Sequence, residues 1–234
     1  MRPRERLNLP QILVAGFLRG LTGLMFRVDS SQLARVPQHG PLIIVANHVH
    51  IPEIPTLYTR LLPRKVRGMV MAEHVENKNK IVGRILNLFG SIPVHRGEGD
   101  LAALRAGLET LARGEILLLD PEGTRSHNGC LQKGRAGAIL MAMRSGAPLL
   151  PVVHYGSEDY RVNLRQLRRS KLTFVVGTPF HLKTTGKPVS GEIRQKMIDE
   201  VMYQMARLLP IRYRGVYADL ESATQEFLVF EQES

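Results

Sequence analysis

A short apolar run, Leu42-Ile43-Ile44-Val45-Ala46, leads into Asn47-His48-Val49-His50-Ile51-Pro52-Glu53, which brings two imidazoles and a carboxylate close together in the chain. This set is suited to two kinds of chemistry. A neutral imidazole, with an unperturbed pKa of about 6.5, can take the proton of an alcohol as it attacks. A carboxylate accepting the other ring N–H would fix the tautomer and stabilise the imidazolium. His48 and Glu53 are the candidates for that pair. Alternatively, His-x-His spacing can place two imidazoles on one side of a strand as metal ligands, with Glu53 as a third. No further ligand motif accompanies them, so the expectation is that no metal is bound.

Three more segments carry polar groups beside apolar runs: Gly90-Ser91-Ile92-Pro93-Val94-His95-Arg96, Pro121-Glu122-Gly123-Thr124-Arg125-Ser126 and Leu150-Pro151-Val152-Val153-His154-Tyr155-Gly156. In this order and spacing, over about residues 40 to 180, the four segments resemble the glycerolipid acyltransferase family, which includes the bacterial 1-acylglycerol-3-phosphate acyltransferases. The first is similar to that family's N-H-x4-D motif, with Glu53 where the family has Asp. The resemblance implies that His48 is the general base and that the acid orients it. It also implies that Arg96 and Arg125 bind the acceptor's phosphate, where two converging guanidiniums give paired, charge-assisted bonds. Lys133 is a weaker addition to that set.

The P-E-G-T-R-S segment is the most specific of the four. Asp120, immediately before it, departs from the apolar or aromatic residue usual there. Glu122 has two open roles, supporting the turn or binding the acceptor hydroxyl. Gly123 supplies a permissive backbone, and Thr124 completes the motif. His50, His95 and His154 read as ordinary histidines. The implied reaction moves a fatty acyl group from a thioester to a lysophospholipid-type hydroxyl, foremost 1-acylglycerol 3-phosphate to give phosphatidic acid. Other glycerol phosphate, lysophospholipid or glycolipid acceptors, and an impaired lipid-binding member, stay open. No cofactor is implied beyond the acyl donor, with coenzyme A and acyl carrier protein both open as its carrier.

Strands must position these groups. Besides 42–46, strand patterns fall at Val66–Ala72, Ile92–His95, Glu115–Asp120, Leu149–Tyr155 and Lys171–Gly177. Helical patterns fall at Glu53–Leu62, Lys80–Phe89, Asp100–Arg113, Arg135–Ser145 and Gly191–Leu209. This alternation predicts an α/β fold, a mixed or largely parallel central sheet flanked by helices, with chemistry gathered at strand ends. Gln11–Val28 reads as an N-terminal amphipathic helix after a head bearing Arg2, Arg4 and Arg6. The organisation expected is a basic amphipathic segment, 1–30, and an acyltransferase domain, 31–234.

The formal charge of +11 favours polyanionic partners. An anionic membrane surface fits better than nucleic acid, because no recognition motif is present and only 6% of residues are aromatic. No apolar run reaches the roughly 18 residues of a spanning helix, and Arg19 interrupts any would-be signal peptide. The single cysteine, Cys130, excludes an intrachain disulfide and points to a reducing compartment. The expectation is a peripheral or monotopic protein on the cytoplasmic side of a membrane.

Overall fold

The computed structural model describes residues 7–50, 52–76, 80–95, 100–126, 128–183 and 189–230. The chain begins with α1 (Leu9–Met25), started by a capping box in which Asn8 and Gln11 each bond the other's backbone N–H. The helix expected to reach Val28 stops earlier, because Phe26–Asp29 is a strand, β1. Its β-branched and aromatic residues pair with a later strand, and Phe26 is buried. The boundary expected near residue 30 therefore follows a strand already hydrogen-bonded into the sheet.

After a 3-10 turn (Ser31–Arg35) come β2 (Leu42–Val45), α2 (Glu53–Leu61), β3 (Val66–Met71), α3 (Ala72–Glu76), α4 (Lys80–Leu88) and β4 (Ile92–Val94). Next are α5 (Leu101–Ala112), β5 (Ile116–Leu119), α6 (Gly137–Ser145) and β6 (Leu149–Tyr155). The chain continues through α7 (Tyr160–Arg165), β7 (Ser170–Val176), β8 (Phe180–Leu182), α8 (Gly191–Leu208) and β9 (Leu228–Phe230). Asp100 caps α5 and Ser190 caps α8 through side-chain oxygens, while Gly146 ends α6 in the left-handed conformation.

The sheet runs β1-β7-β6-β2-β5-β3-β4, and β8 and β9 extend it from β6. Strands β6, β2, β5, β3 and β4 are mutually parallel, whereas β7 is antiparallel to β6 and carries β1 parallel to itself. This is the mixed, largely parallel α/β sheet that the alternating pattern predicts. Strands β2 and β5 are buried along their whole length because helices cover both faces. Ile43, Val45, Leu117 and Leu119 point into a core formed with α5, α6 and α8. Leu42, Ile44, Ile116 and Leu118 point to the other core, closed by α2 and the 3-10 turn. Each such side chain contributes about 1.5–3 kcal/mol on burial.

Candidate active site

Register alone brings three of the four segments together. β2 lies between β5 and β6, with Val45 opposite both Leu119 and Pro151. The residues after β2 therefore emerge between the turn after β5 and the turn after β6, at the carboxyl ends of parallel strands. Backbone bonds fasten the three: Ala46 N–H donates to Leu119 O at 3.0 Å, and Ser126 N–H to His48 O at 2.8 Å. Asn47 locks the first segment to β6, giving its side-chain N–H to His154 O and accepting from His154 N–H, both at 2.9 Å.

His48 sits in this junction, half-buried, with Nδ1 sealed from solvent and without a hydrogen-bond partner. Burial drives its pKa down to about 4; Glu53 pulls it upward, and His154, Arg125 and His50 add to the downward push. At neutral pH the imidazole is uncharged and able to accept a proton.

Glu53 is wholly buried at the first turn of α2, where the helix dipole favours a carboxylate. Its Oε2 accepts from the backbone N–H groups of Val49 at 3.1 Å and His50 at 2.7 Å, while Oε1 accepts from the hydroxyl of Ser157. His154 Nδ1 lies 3.5 Å from the same Oε2. The expected bond from this carboxylate to a ring nitrogen of His48 is not made, because these groups engage both oxygens. Glu53 instead braces the loop that carries His48 and acts on the imidazole electrostatically.

The histidine that sequence reasoning set aside, His154, is thus part of the junction. Its Nε2 donates to Asn47 O at 2.6 Å, and its ring turns edge-on to Phe174. A polar side chain on a strand buried along nearly its whole length must find partners. That was the signal available for it. Ser157, at the end of β6, had no comparable signal. His50 packs on Tyr160, and His95 holds the capping carboxylate of Asp100 at 3.1 Å. Among the described residues no group of three or more His, Cys, Asp and Glu is arranged to hold a metal.

In the turn after β5, Glu122 is buried while Gly123 and Arg125 are exposed and Thr124 is half-buried. Gly123 has φ +68°, a conformation that favours glycine. Glu122 Oε2 accepts from Gln132 N–H at 2.9 Å, and Oε1 is buried without a partner. Asp120 Oδ1 accepts from Glu122 N–H at 2.9 Å. Burial raises the Asp120 carboxyl to about 7; burial, and then the neighbouring Asp120, raise Glu122 to about 8. Lys133 is exposed. Arg96 lies outside the described residues.

The acyltransferase family profile matches residues 27–155, which spans more than half of the chain and takes in the first three segments and most of the fourth. The chain belongs to the acyltransferase family. A relative named 1-acyl-sn-glycerol-3-phosphate acyltransferase from Bacillus subtilis is 25% identical over 167 residues, 71% of this acyltransferase and 80% of the relative. A protein of the same name from Pseudomonas aeruginosa is 28% identical over 135 residues, 56% of this chain and 52% of its own. This acyltransferase thus spans about half the length of that relative. The crystal structure of the 1-acyl-sn-glycerophosphate acyltransferase PlsC from Thermotoga maritima superposes with a TM-score of 0.55 at 22% identity, covering 86% of this chain and 81% of that one. The likeness shows a shared fold.

Proposed function

We propose that this acyltransferase moves a fatty acyl group from a thioester to the free hydroxyl of a lysophospholipid-type acceptor, foremost 1-acylglycerol 3-phosphate, giving phosphatidic acid. The observation that carries this reading is His48, held uncharged by burial where the β2, β5 and β6 ends meet. The relatives' names supply the acceptor class.

In the reaction the acceptor hydroxyl passes its proton to His48 while its oxygen bonds to the thioester carbonyl carbon. The tetrahedral oxyanion then re-forms the carbonyl, the C–S bond breaks, and the imidazolium returns the proton to the departing thiolate. The buried carboxylate of Glu53 stabilises the transient imidazolium through space. Arg125, with Arg96, is assigned to the acceptor phosphate, and Glu122, Gly123 and Thr124 shape the turn that receives it. Either coenzyme A or acyl carrier protein can present the acyl group.

The acceptor and donor are lipids or carry lipid chains, and α1 exposes Leu9, Ile12, Leu13, Phe17 and Leu24. No helix among the described residues is long and apolar enough to cross a membrane. This reading therefore has α1 lying in the surface of an anionic membrane, on its cytoplasmic side. The deciding experiment is an acyl-transfer assay in detergent with wild type and His48→Ala, read by mass spectrometry of the acylated product. His48→Ala should remain folded and lose about 10²- to 10⁴-fold in turnover. Near-normal turnover would remove His48 from the mechanism.

A further inference from the structure

A second set of cations lies at the other end of α2 from His48, separated from it by about 13 Å of helix at 1.5 Å per residue. Here a cleft of about 260 Å³ opens between α1, the 3-10 turn and the end of α2. Arg19, Arg60 and Arg64 line it together with apolar side chains including Leu33, Val36 and Leu61, and no carboxylate is among its lining residues.

The arginines have different duties. Arg64 is engaged by backbone carbonyls, donating to Pro37 O at 2.5 Å, Gly114 O at 2.9 Å and Gly40 O. Arg60 is half-buried, and its Nη1 is sealed from solvent with no hydrogen-bond partner. A buried guanidinium N–H left unpaired is costly, and a neighbouring like charge adds to that cost. Arg19 supplies such a charge, and burial followed by Arg19 lowers the Arg60 pKa. Arg60 also borders a second cavity, about 610 Å³, with Arg27, Arg169 and Lys171. The acid there, Asp29, accepts from Ser31 N–H at 3.3 Å and Ser31 Oγ at 2.8 Å.

We propose that the cleft at the root of α1 is a binding site for the phosphodiester headgroup of a membrane phospholipid, with Arg19 and Arg60 as its ligating cations. A phosphate seated in the cleft would sit between the two guanidiniums and relieve the repulsion between them. A lipid is favoured over free phosphate because the cleft opens at the root of α1, whose apolar face is exposed, and Leu33, Val36, Leu61 and Leu62 line it beside Ser30 and Gln38. The choice of a lipid rests on the membrane reading of α1 given above. The site would anchor α1 against the bilayer from behind its apolar face and would bind a lipid that is neither substrate nor product.

The test uses the full chain saturated with 1-acylglycerol 3-phosphate, without donor, so that the acceptor site is filled. Calorimetric titration follows dihexanoyl phosphatidylglycerol below its micelle concentration, and inorganic phosphate in parallel. Wild type should bind the short-chain lipid more tightly than phosphate. Arg60→Gln and Arg19→Gln should each weaken lipid binding about tenfold or more, with Arg60→Lys weakened less. A Leu13→Ser/Phe17→Ser variant should lose phosphatidylglycerol vesicles and keep the short-chain lipid, which separates failure of the membrane reading from failure of this site. Folded Arg60→Gln and Arg19→Gln proteins that bind the short-chain lipid as wild type does would overturn the proposal. So would equal affinity for phosphate and lipid.

Discussion

At Glu53 the longer acidic side chain has a structural consequence. Its carboxylate reaches back to the amides of Val49 and His50 and across to Ser157 and His154, so the loop bearing His48 is held by its backbone. Glu53→Gln would turn an amide N–H₂ towards donors and remove the charge facing His154, leaving buried N–H groups unpaired at about 1–3 kcal/mol each. Glu53→Asp keeps the charge to which the proposed mechanism assigns stabilisation of the imidazolium but draws the carboxylate back. Glu53→Gln should therefore lose more turnover than Glu53→Asp, and both should melt earlier than wild type by calorimetry. Equal turnover in Glu53→Gln and wild type would show that His48 needs nothing from this carboxylate. A pH profile checks the base itself. With its pKa near 4, His48 becomes competent as pH rises through that value, so the ascending limb of kcat/KM should lie far below 6.5.

The elements owe their mutual positions to a few clips. The segment after α8 folds back onto the loop that follows the P-E-G-T-R-S turn: Leu131 N–H donates to Tyr213 O at 2.9 Å, and Gly134 N–H to the Tyr217 hydroxyl at 3.0 Å. That hydroxyl in turn donates to Asp199 on α8 at 2.7 Å. Gly215 makes the approach possible, because it has φ +54° and any Cβ there would collide with the Leu131 carbonyl oxygen. Gly215→Ala should destabilise the protein by about 1 kcal/mol or more, seen as a lower urea midpoint with an unchanged slope. It should also reduce turnover, since Gln132, next to Leu131, donates to both Glu122 Oε2 and Arg125 O. An unaltered midpoint would mean that the clip contributes nothing to holding this loop.

For the molecule as a whole, the titration of the site reaches global stability. Asp120 and Glu122 have folded pKa values near 7 and 8, against about 3.9 and 4.3 in an unfolded chain. The native state therefore keeps protons that the unfolded state has already released, and this contribution to stability is lost as pH rises towards 8. His48 acts in the opposite sense between about 4 and 6.5, where the unfolded state is the one that binds the proton. The two effects separate above pH 6.5, where the carboxyls act without that opposition from His48. The melting temperature of wild type should fall between about pH 6.5 and 8, and Glu122→Gln should flatten that fall. An equally steep decline in Glu122→Gln would place its cause elsewhere.

The alternation of strands and helices and the family were legible in the sequence, as were the segments that meet at the junction around His48. Those signals are local: a histidine after an apolar run, a P-E-G-T-R-S turn, a period of side chains. The strands β1, β8 and β9 were not legible, since β1 continues the apolar pattern of α1 and the identity of all three depends on the partner strand. The partners of Glu53 were not legible either. Sequence places an acid near His48, but His154 and Ser157 lie more than a hundred positions away, and only the pairing of β2 with β6 brings them to it. The same holds for Arg19 and Arg60, ordinary arginines of two helices until the packing of α1 on α2 sets them in one cleft without a carboxylate. Residue type fixes what a group can do, and tertiary contact decides which neighbour takes its charge or its hydrogen bond.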